Sequence, residues 1–472
     1  MWRARLVRIL GDFGRGTRRS SYVSTLDFRD IPTPKRLPVV GTALSLLAAG
    51  GASKLHEYVD KRHRQLGPIF RDNVGPVTAV FLSDPEVMRS VFAQEGKYPL
   101  HIKPEPWLVY NEKHNYTRGL FFMDGDKWMH FRRIMNKLLL KGDLAWIEDA
   151  CEMAADLILR RLLFYSEKGA EFPTWKKELY KWSMDVIVSV LVGADTYRQS
   201  REDIEPIVEI LASTVQAVFE TTSKLTLLPA TLAARYNIPQ WRRFENSVTA
   251  ALKSANEVVN HLEEKYPKGD GLLSRLQEEG LDKADTKRIV ADLILGGGDT
   301  TTYTMEWMLY LIAKHSDVQE RLRGGDKTLA KNVLRETLRL YPVAPFLTRF
   351  MPDSATIAGY SVPAGTLVVM SIYTSGRDER NFKEAARFFP DRWLRSGAHG
   401  CVGVGVQQAS LPFAMGARSC IGKKIAEAQL QVTLLKVVKE FQVETLNKRE
   451  VGVVMKMVAK PAEPLRLKFT RI

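Results

Sequence analysis

The chain has 472 residues, 45% hydrophobic and 26% charged, an ordinary globular composition that excludes a mainly disordered or collagen-like polypeptide. Lysine and arginine outnumber aspartate and glutamate 69 to 54, a formal net charge of +15. Alone, that excess fits nucleic acid, an acidic membrane surface, an acidic protein partner or a targeting signal. Only three cysteines occur, Cys151, Cys401 and Cys420, which excludes a disulfide scaffold and a four-thiolate zinc site.

Residues 1–25 carry Arg3, Arg5, Arg8, Arg15, Arg18 and Arg19 against the single acid Asp12. Trp2, Leu6, Ile9, Leu10 and Phe13 recur at helical spacing, and a Ser/Thr-rich tail follows Arg19. An Arg-rich, Ser-rich, acid-poor amphipathic segment is the pattern of a mitochondrial transit peptide; the plain alternative is a basic tail without structure. No run of about 20 apolar residues exists to span a bilayer. Residues 31–38 hold three prolines and read as an extended entry arm.

Short strand-like runs follow near residues 69–74 and 77–82. From Pro85 to about Lys331 the pattern is mostly helical, with long segments such as 146–163 and 180–191. Trp128 and Arg132 share one helix face, and Cys151 sits on an apolar helical face as a structural thiol. Leu225, Leu227, Leu228, Pro229 and Leu232, beside Lys224, Arg235 and Trp241, fit either a membrane-dipping patch or ordinary core.

A helix starting near Asp282 carries Gly296-Gly297-Gly298-Asp299-Thr300 at its middle. Three glycines cost a helix interior roughly 1 kcal/mol each, so they call for a groove beside a flat ligand or a close helix crossing. Asp299 and Thr300 beside them suit proton delivery. Glu336 and Arg339 then share a helix face, strand-like pieces return over 355–367 and 451–469, and a helix covers 423–438. With no repeat and no clear boundary, residues 26–472 read as one domain, mainly α with small β-sheets.

Cys420 lies in Phe413-x-x-Gly416-x-Arg418-x-Cys420-x-Gly422, just ahead of that last helix. Free amides at a helix start lower a thiol's pKa. Gly416 permits a tight turn, Phe413 offers an aromatic wall and Arg418 a cation suited to a carboxylate. A lone thiolate with open space is what haem iron takes as an axial ligand for oxygen activation. Cys401, in a Gly-rich loop, is assigned no role. No phosphate loop, His-Glu-x-x-His or Gly-x-Ser-x-Gly occurs, and basic residues form no aromatic-interleaved stripe, which argues against nucleic acid.

At every position the Cys420 loop resembles the signature of cytochrome P450, and Gly296 to Thr300 is similar to that family's proton-delivery motif. The resemblance implies the P450 fold, haem b (iron protoporphyrin IX) ligated by Cys420, Asp299 and Thr300 relaying protons to activated dioxygen, and Trp128, Arg132 and Arg349 with Arg418 and Phe413 holding the haem. It implies a structural brace of Glu336, Arg339 and Arg392. The presequence in place of a membrane anchor resembles the mitochondrial branch. That branch implies an adrenodoxin-like ferredoxin with its NADPH reductase, docking on Lys331, Arg335, Lys423 and Lys424, and a place on the matrix side of the inner membrane, peripherally attached. Residues 37–42, 119–123 and 340–346 resemble runs of insect ecdysteroid C-2 hydroxylases, which implies conversion of 2-deoxyecdysone to ecdysone, with Trp107, Val343 and Phe346 in the steroid pocket. Alternatives are another sterol, another position such as C-22, a P450-fold hydroperoxide isomerase, and a non-enzymatic haem carrier.

Overall fold

The computed structural model describes residues 25–35, 42–74, 77–167, 175–225, 228–394 and 409–472. The expected presequence (all but Thr25), most of residues 37–42, Leu227 and Cys401 lie outside them.

Helix α1 (Leu55–Leu66) leads into the antiparallel hairpin of β1 (Ile69–Val74) and β2 (Val77–Leu82). The helical body follows: α2 (Gly125–Leu140), α3 (Ala145–Glu167), α4 (Trp175–Val192), α5 (Arg201–Ser223), α6 (Pro239–Lys265), α7 (Lys283–Lys314) and α8 (Lys327–Leu340). Strands β3 (Phe346–Phe350), β4 (Ala355–Ile357), β5 (Tyr360–Val362) and β6 (Leu367–Ser371) come next. After the cysteine loop come α9 (Lys423–Glu440), β7 (Phe441–Thr445), β8 (Val453–Met455), β9 (Ala459–Pro461) and β10 (Leu467–Arg471).

The main sheet has the order β1-β2-β6-β3, with β2 and β6 parallel and the other pairs antiparallel. Strand β3, which the sequence pattern did not announce, sets Arg349 opposite Val368 of β6. The strand-like pieces expected over 355–367 are the β4–β5 hairpin, a turn and the start of β6.

Helix α7 is the centre of the molecule, packed against α4, α5, α6, α8 and α9. Asp282 caps its start by accepting from Asp285 N at 2.7 Å. Side chains all round the helix are buried, as a helix apolar on every face requires. Between Ile289 and Ile312 the one exposed residue is Gly296. The three glycines divide the two roles that the sequence left open. A Cβ at Gly298 would stand 2.5 Å from Val215 Cγ1 of α5, and one at Gly297 2.9 Å from Ile187 Cδ1 of α4, so both serve close crossings. A Cβ at Gly296 would meet nothing within 4 Å, so that glycine opens the groove. No helix of the described residues is long and apolar enough to cross a membrane.

Candidate functional site

Gly416 adopts φ +78°, where a Cβ would also collide with the Glu95 carboxylate; only glycine fits both constraints. The turn it makes is closed by Ser419 N donating to Gly416 O at 3.2 Å and Cys420 N donating to Phe413 O at 2.8 Å. Helix α9 begins three residues later, with Gly422 at its N-cap. Cys420 is exposed, whereas Cys151 is fully buried and its thiol is pushed well up by that burial. The expected lowering of the Cys420 pKa is not what its surroundings produce. Desolvation raises it, and the Gly422 N–H, Arg132 and Lys423 only partly oppose this. A coordinating metal would remove the thiol proton outright.

Around the loop stands a cluster of cationic and aromatic side chains. Arg132, on α2, is buried; its Nη2 donates to Ser419 Oγ at 3.2 Å, and its Nε has no partner. Arg349 donates from Nε to Glu95 Oε2 at 2.6 Å, while its Nη2 is buried without a partner. Glu95 in turn accepts from Ala417 N at 2.8 Å, which ties β3 to the cysteine loop. Both ring nitrogens of His101 are also buried without partners. Burial first, then the charges of Arg418, Lys103 and Arg349, lower the His101 pKa to about 3, so its ring is neutral.

Arg418 meets three backbone carbonyls and one carboxylate of the chain. It donates to Pro99 O (2.7 Å), Leu120 O (3.3 Å), Met123 O (2.7 Å) and Asp124 Oδ1 (2.6 Å), with its guanidinium carbon 4.1 Å from the Trp128 ring centre. It locks the 99 and 120–124 segments over Trp128. Phe413 is half-buried, with Lys423 Nζ 5.8 Å above its ring.

On α7, Thr300 Oγ1 donates to Gly296 O at 2.7 Å, which places its hydroxyl on the groove side. Asp299 points elsewhere: its Oδ1 accepts from Tyr180 OH of α4. Burial raises Asp299 to about 7, against the opposing Tyr180 bond and the charges of Lys176 and Lys460. Its carboxyl therefore exchanges a proton near neutral pH.

Glu336 of α8 is fully buried and accepts five hydrogen bonds, from Arg339 Nε and Nη2, Arg392 Nε, Phe389 N and Trp393 Nε1. Arg339 Nη1 adds bonds of 2.6 Å to the carbonyls of Gly376 and Ala385. Lys331 and Lys424 are exposed and Lys423 half-exposed, on helices α8 and α9 that pack together. Arg335 lies 4.2 Å over the Trp393 ring.

Of the steroid-pocket expectations, Trp107 and Val343 belong to the main core, while Phe346 packs against the Tyr58 and Phe70 cluster. The apolar patch divides: Leu225 and Trp241 are core, and Leu228 and Leu232 are surface. Sequence reasoning missed Glu95 and His101; an acid and a histidine with no motif around them carry no local signal.

The cytochrome P450 family profile matches residues 31–469. "Cytochrome P450 315a1, mitochondrial" of Drosophila melanogaster is 38% identical over 93% of this chain and 88% of its own. A cholesterol side-chain cleavage enzyme of Oncorhynchus mykiss is 28% identical over 88% of this chain and 85% of its own. The mouse 1,25-dihydroxyvitamin D(3) 24-hydroxylase is 26% identical over 94% of this chain and 90% of its own. The chain belongs to the cytochrome P450 family: it is a haem-thiolate monooxygenase of that class, related to mitochondrial steroid hydroxylases.

The residues present fit haem b. An exposed thiol stands on the loop, an open glycine interrupts a buried helix, and orphaned N–H groups of Arg132 and Arg349, with the single N–H of a neutral His101, match the acceptor oxygens that two propionates bring.

Proposed function

We propose that this protein hydroxylates an ecdysteroid at C-2, converting 2-deoxyecdysone to ecdysone in mitochondria. The observation that carries this reading is the similarity to an insect mitochondrial relative, 38% identical, against 28% and 26% for the vertebrate sterol-acting ones. The resemblance of residues 119–123 and 340–346 to insect ecdysteroid C-2 hydroxylases points the same way.

Haem b, held through the Cys420 sulfur, supplies activation of dioxygen and insertion of one oxygen atom into a C–H bond. The chain's residues do the rest. Trp128, Arg132, Arg349 and His101 bind the two carboxylates of the cofactor, and Arg418 fixes the loops that cover them. The Thr300 hydroxyl holds a proton at the groove, and Asp299 resupplies it from a carboxyl poised near neutrality. Glu336, Arg339 and Arg392 keep the proximal wall in place.

Electrons come from an acidic ferredoxin, reduced by its NADPH reductase, that docks on Lys331, Arg335, Lys423 and Lys424. Residues 1–25 are the address and 26–472 the catalytic domain. Attachment is peripheral, on the matrix side of the inner membrane, through exposed Leu228, Leu232 and Tyr236 with Lys224 and Arg235 beside them. The test is reconstitution with ferredoxin, its reductase and NADPH, followed by mass analysis of sterol products. Gain of one oxygen on 2-deoxyecdysone, dependent on ferredoxin, supports the reading. Oxygenation of other sterols only, or turnover without ferredoxin, overturns it.

A further inference from the structure

A turnover that puts one atom of dioxygen into a C–H bond and releases the other as water takes up two protons, so the reaction needs a path from solvent. The groove beside Thr300 is a poor one, because a bound apolar substrate excludes water from it. Asp299 faces elsewhere: with Tyr303 and Glu306 it stands at i, i+4 and i+7 of α7, one shared face of the helix. Asp299 is only 4% exposed, yet it lines a cleft between α7, α4, α5 and the β8–β9 hairpin. The cleft has an empty volume of about 250 Å³ and opens to solvent, and two of its walls, Glu220 and Lys456, are exposed. Room for water centres is about 10 Å³, the space of a single molecule.

The side chains around this water-sized space all carry exchangeable protons. Tyr180, on α4, donates to Asp299 Oδ1, which leaves Oδ2 for the cleft. Lys176 Nζ stands 5.6 Å from the Tyr180 ring centre and 5.3 Å from that of Tyr303, and Lys460 Nζ stands 5.8 Å from the latter. Both amines rest on tyrosine rings rather than forming an ion pair with Asp299. Burial first, then the charges of Lys176 and Lys456, lowers the Lys460 pKa, which eases release of a proton into the cleft. Glu306 is enclosed on the same face and does not line the cleft.

We propose that protons reach Asp299 from solvent through this cleft, by way of Lys460 and one cleft water, with Tyr180 as the positioning residue that holds the carboxyl there. A proton that Asp299 gives up toward Thr300 is replaced from the cleft water, that of the water from Lys460, and that of Lys460 from solvent. Proton supply and substrate access then use different faces of α7, so the groove stays dry while protons arrive. This rests on the reading of Asp299 as the acid that resupplies Thr300.

The experiment compares the haem-loaded wild type with Val458→Trp, which fills the cleft, Lys460→Met, which removes the amine, and Tyr180→Phe, which removes the hydroxyl; Asp299→Asn is the reference. Infrared spectroscopy follows the protonated Asp299 carboxyl, identified by its absence from Asp299→Asn, and gives its titration midpoint and its rate of exchange in D2O without any substrate. Val458→Trp and Lys460→Met are expected to slow that exchange by about tenfold or more. With ferredoxin, its reductase, NADPH and 2-deoxyecdysone, they should lower turnover and enlarge the solvent deuterium isotope effect while the sterol dissociation constant stays put. Lys460→Met and Tyr180→Phe should both raise the midpoint, since each removes a group that favours the ionised carboxyl. If Val458→Trp does not fold, Lys460→Met and Tyr180→Phe carry the test. Wild-type exchange in the folded cleft variants, an unmoved midpoint in Tyr180→Phe, or a loss of turnover matched by loss of sterol affinity would overturn the proposal. Asp299→Asn with wild-type turnover would overturn the reading of Asp299 as well; impaired Asp299→Asn beside unimpaired cleft variants would overturn this proposal alone.

Discussion

Replacing Glu336 by glutamine tests the buried cluster of Glu336, Arg339 and Arg392 with almost no change of shape. Oε1 of Glu336 accepts from Arg339 Nη2 (2.7 Å), Arg392 Nε (2.8 Å) and Phe389 N (2.9 Å). Oε2 accepts from Arg339 Nε (2.9 Å) and Trp393 Nε1 (3.0 Å). A glutamine amide has one acceptor oxygen, and its least costly orientation keeps that oxygen on the three-donor side. The amide nitrogen then faces Arg339 Nε and Trp393 Nε1, donor against donor. Two charge-assisted bonds at about 1.5–3 kcal/mol each are lost, and two buried guanidinium groups lose their counter-charge. A destabilisation of about 3–5 kcal/mol follows, a large share of the roughly 5–15 kcal/mol that holds a folded domain. Urea unfolding followed by circular dichroism, with and without haem, measures it. A loss below about 1 kcal/mol would refute the reasoning, since it would mean that other groups already neutralise Arg339 and Arg392.

Glu306, fully enclosed beside Asp299, is raised to about 7 chiefly by desolvation. A carboxyl whose folded pKa lies above its unfolded value costs nothing at pH 4, and its penalty grows as pH rises toward 7. Glu306→Gln should therefore match wild type near pH 4–5 and be more stable by about 3 kcal/mol at pH 8, read from melting curves; parallel pH slopes would exclude this. Thr300→Ala should keep haem and sterol binding while less product forms per NADPH consumed and peroxide appears; an unchanged ratio removes Thr300 from proton delivery. Charge reversal at Lys331 and Lys423 should raise the half-saturating ferredoxin concentration at low salt and leave sterol binding alone; normal ferredoxin response would put docking elsewhere.

The cysteine loop was legible in the sequence because its constraints are local. Gly416 must turn and the last helix starts just after Cys420, all within ten residues of Phe413. Glu336 and Arg339 were legible for the same reason, three apart on one helix. What periodicity could not supply are contacts between distant segments: Glu95 to Arg349 spans 254 residues and Glu95 to Ala417 spans 322. Arg418 shows the limit most clearly. Its position was apparent, but its four acceptors come from the segment between Pro99 and Asp124, which no motif at residue 418 announces. The thiol shift of Cys420 was misjudged because a helix start argues for lowering it, whereas the desolvation that outweighs this comes from the protein gathered around an otherwise accessible side chain, which no local pattern announces.

The three glycines of α7 connect these levels. Gly297 and Gly298 are spent on packing: with side chains there, Ile187 and Val215 would push α4 and α5 away from α7. That close approach is also what lets Tyr180 of α4 reach the Asp299 carboxyl. The loss of helix propensity, roughly 1 kcal/mol per glycine, thus secures a proton-bearing acid in a dry environment as well as a tight core. Gly296 alone faces open space, and the carbonyl it offers is the one that Thr300 Oγ1 binds at 2.7 Å. One turn of helix therefore carries two faces with separate tasks. The crossing face fixes the protonation of Asp299 through its neighbours, and the groove face leaves open space beside the Thr300 hydroxyl. Because Asp299 and Thr300 are adjacent in sequence but belong to different faces, the backbone between them is the shortest link from the buried acid to the groove.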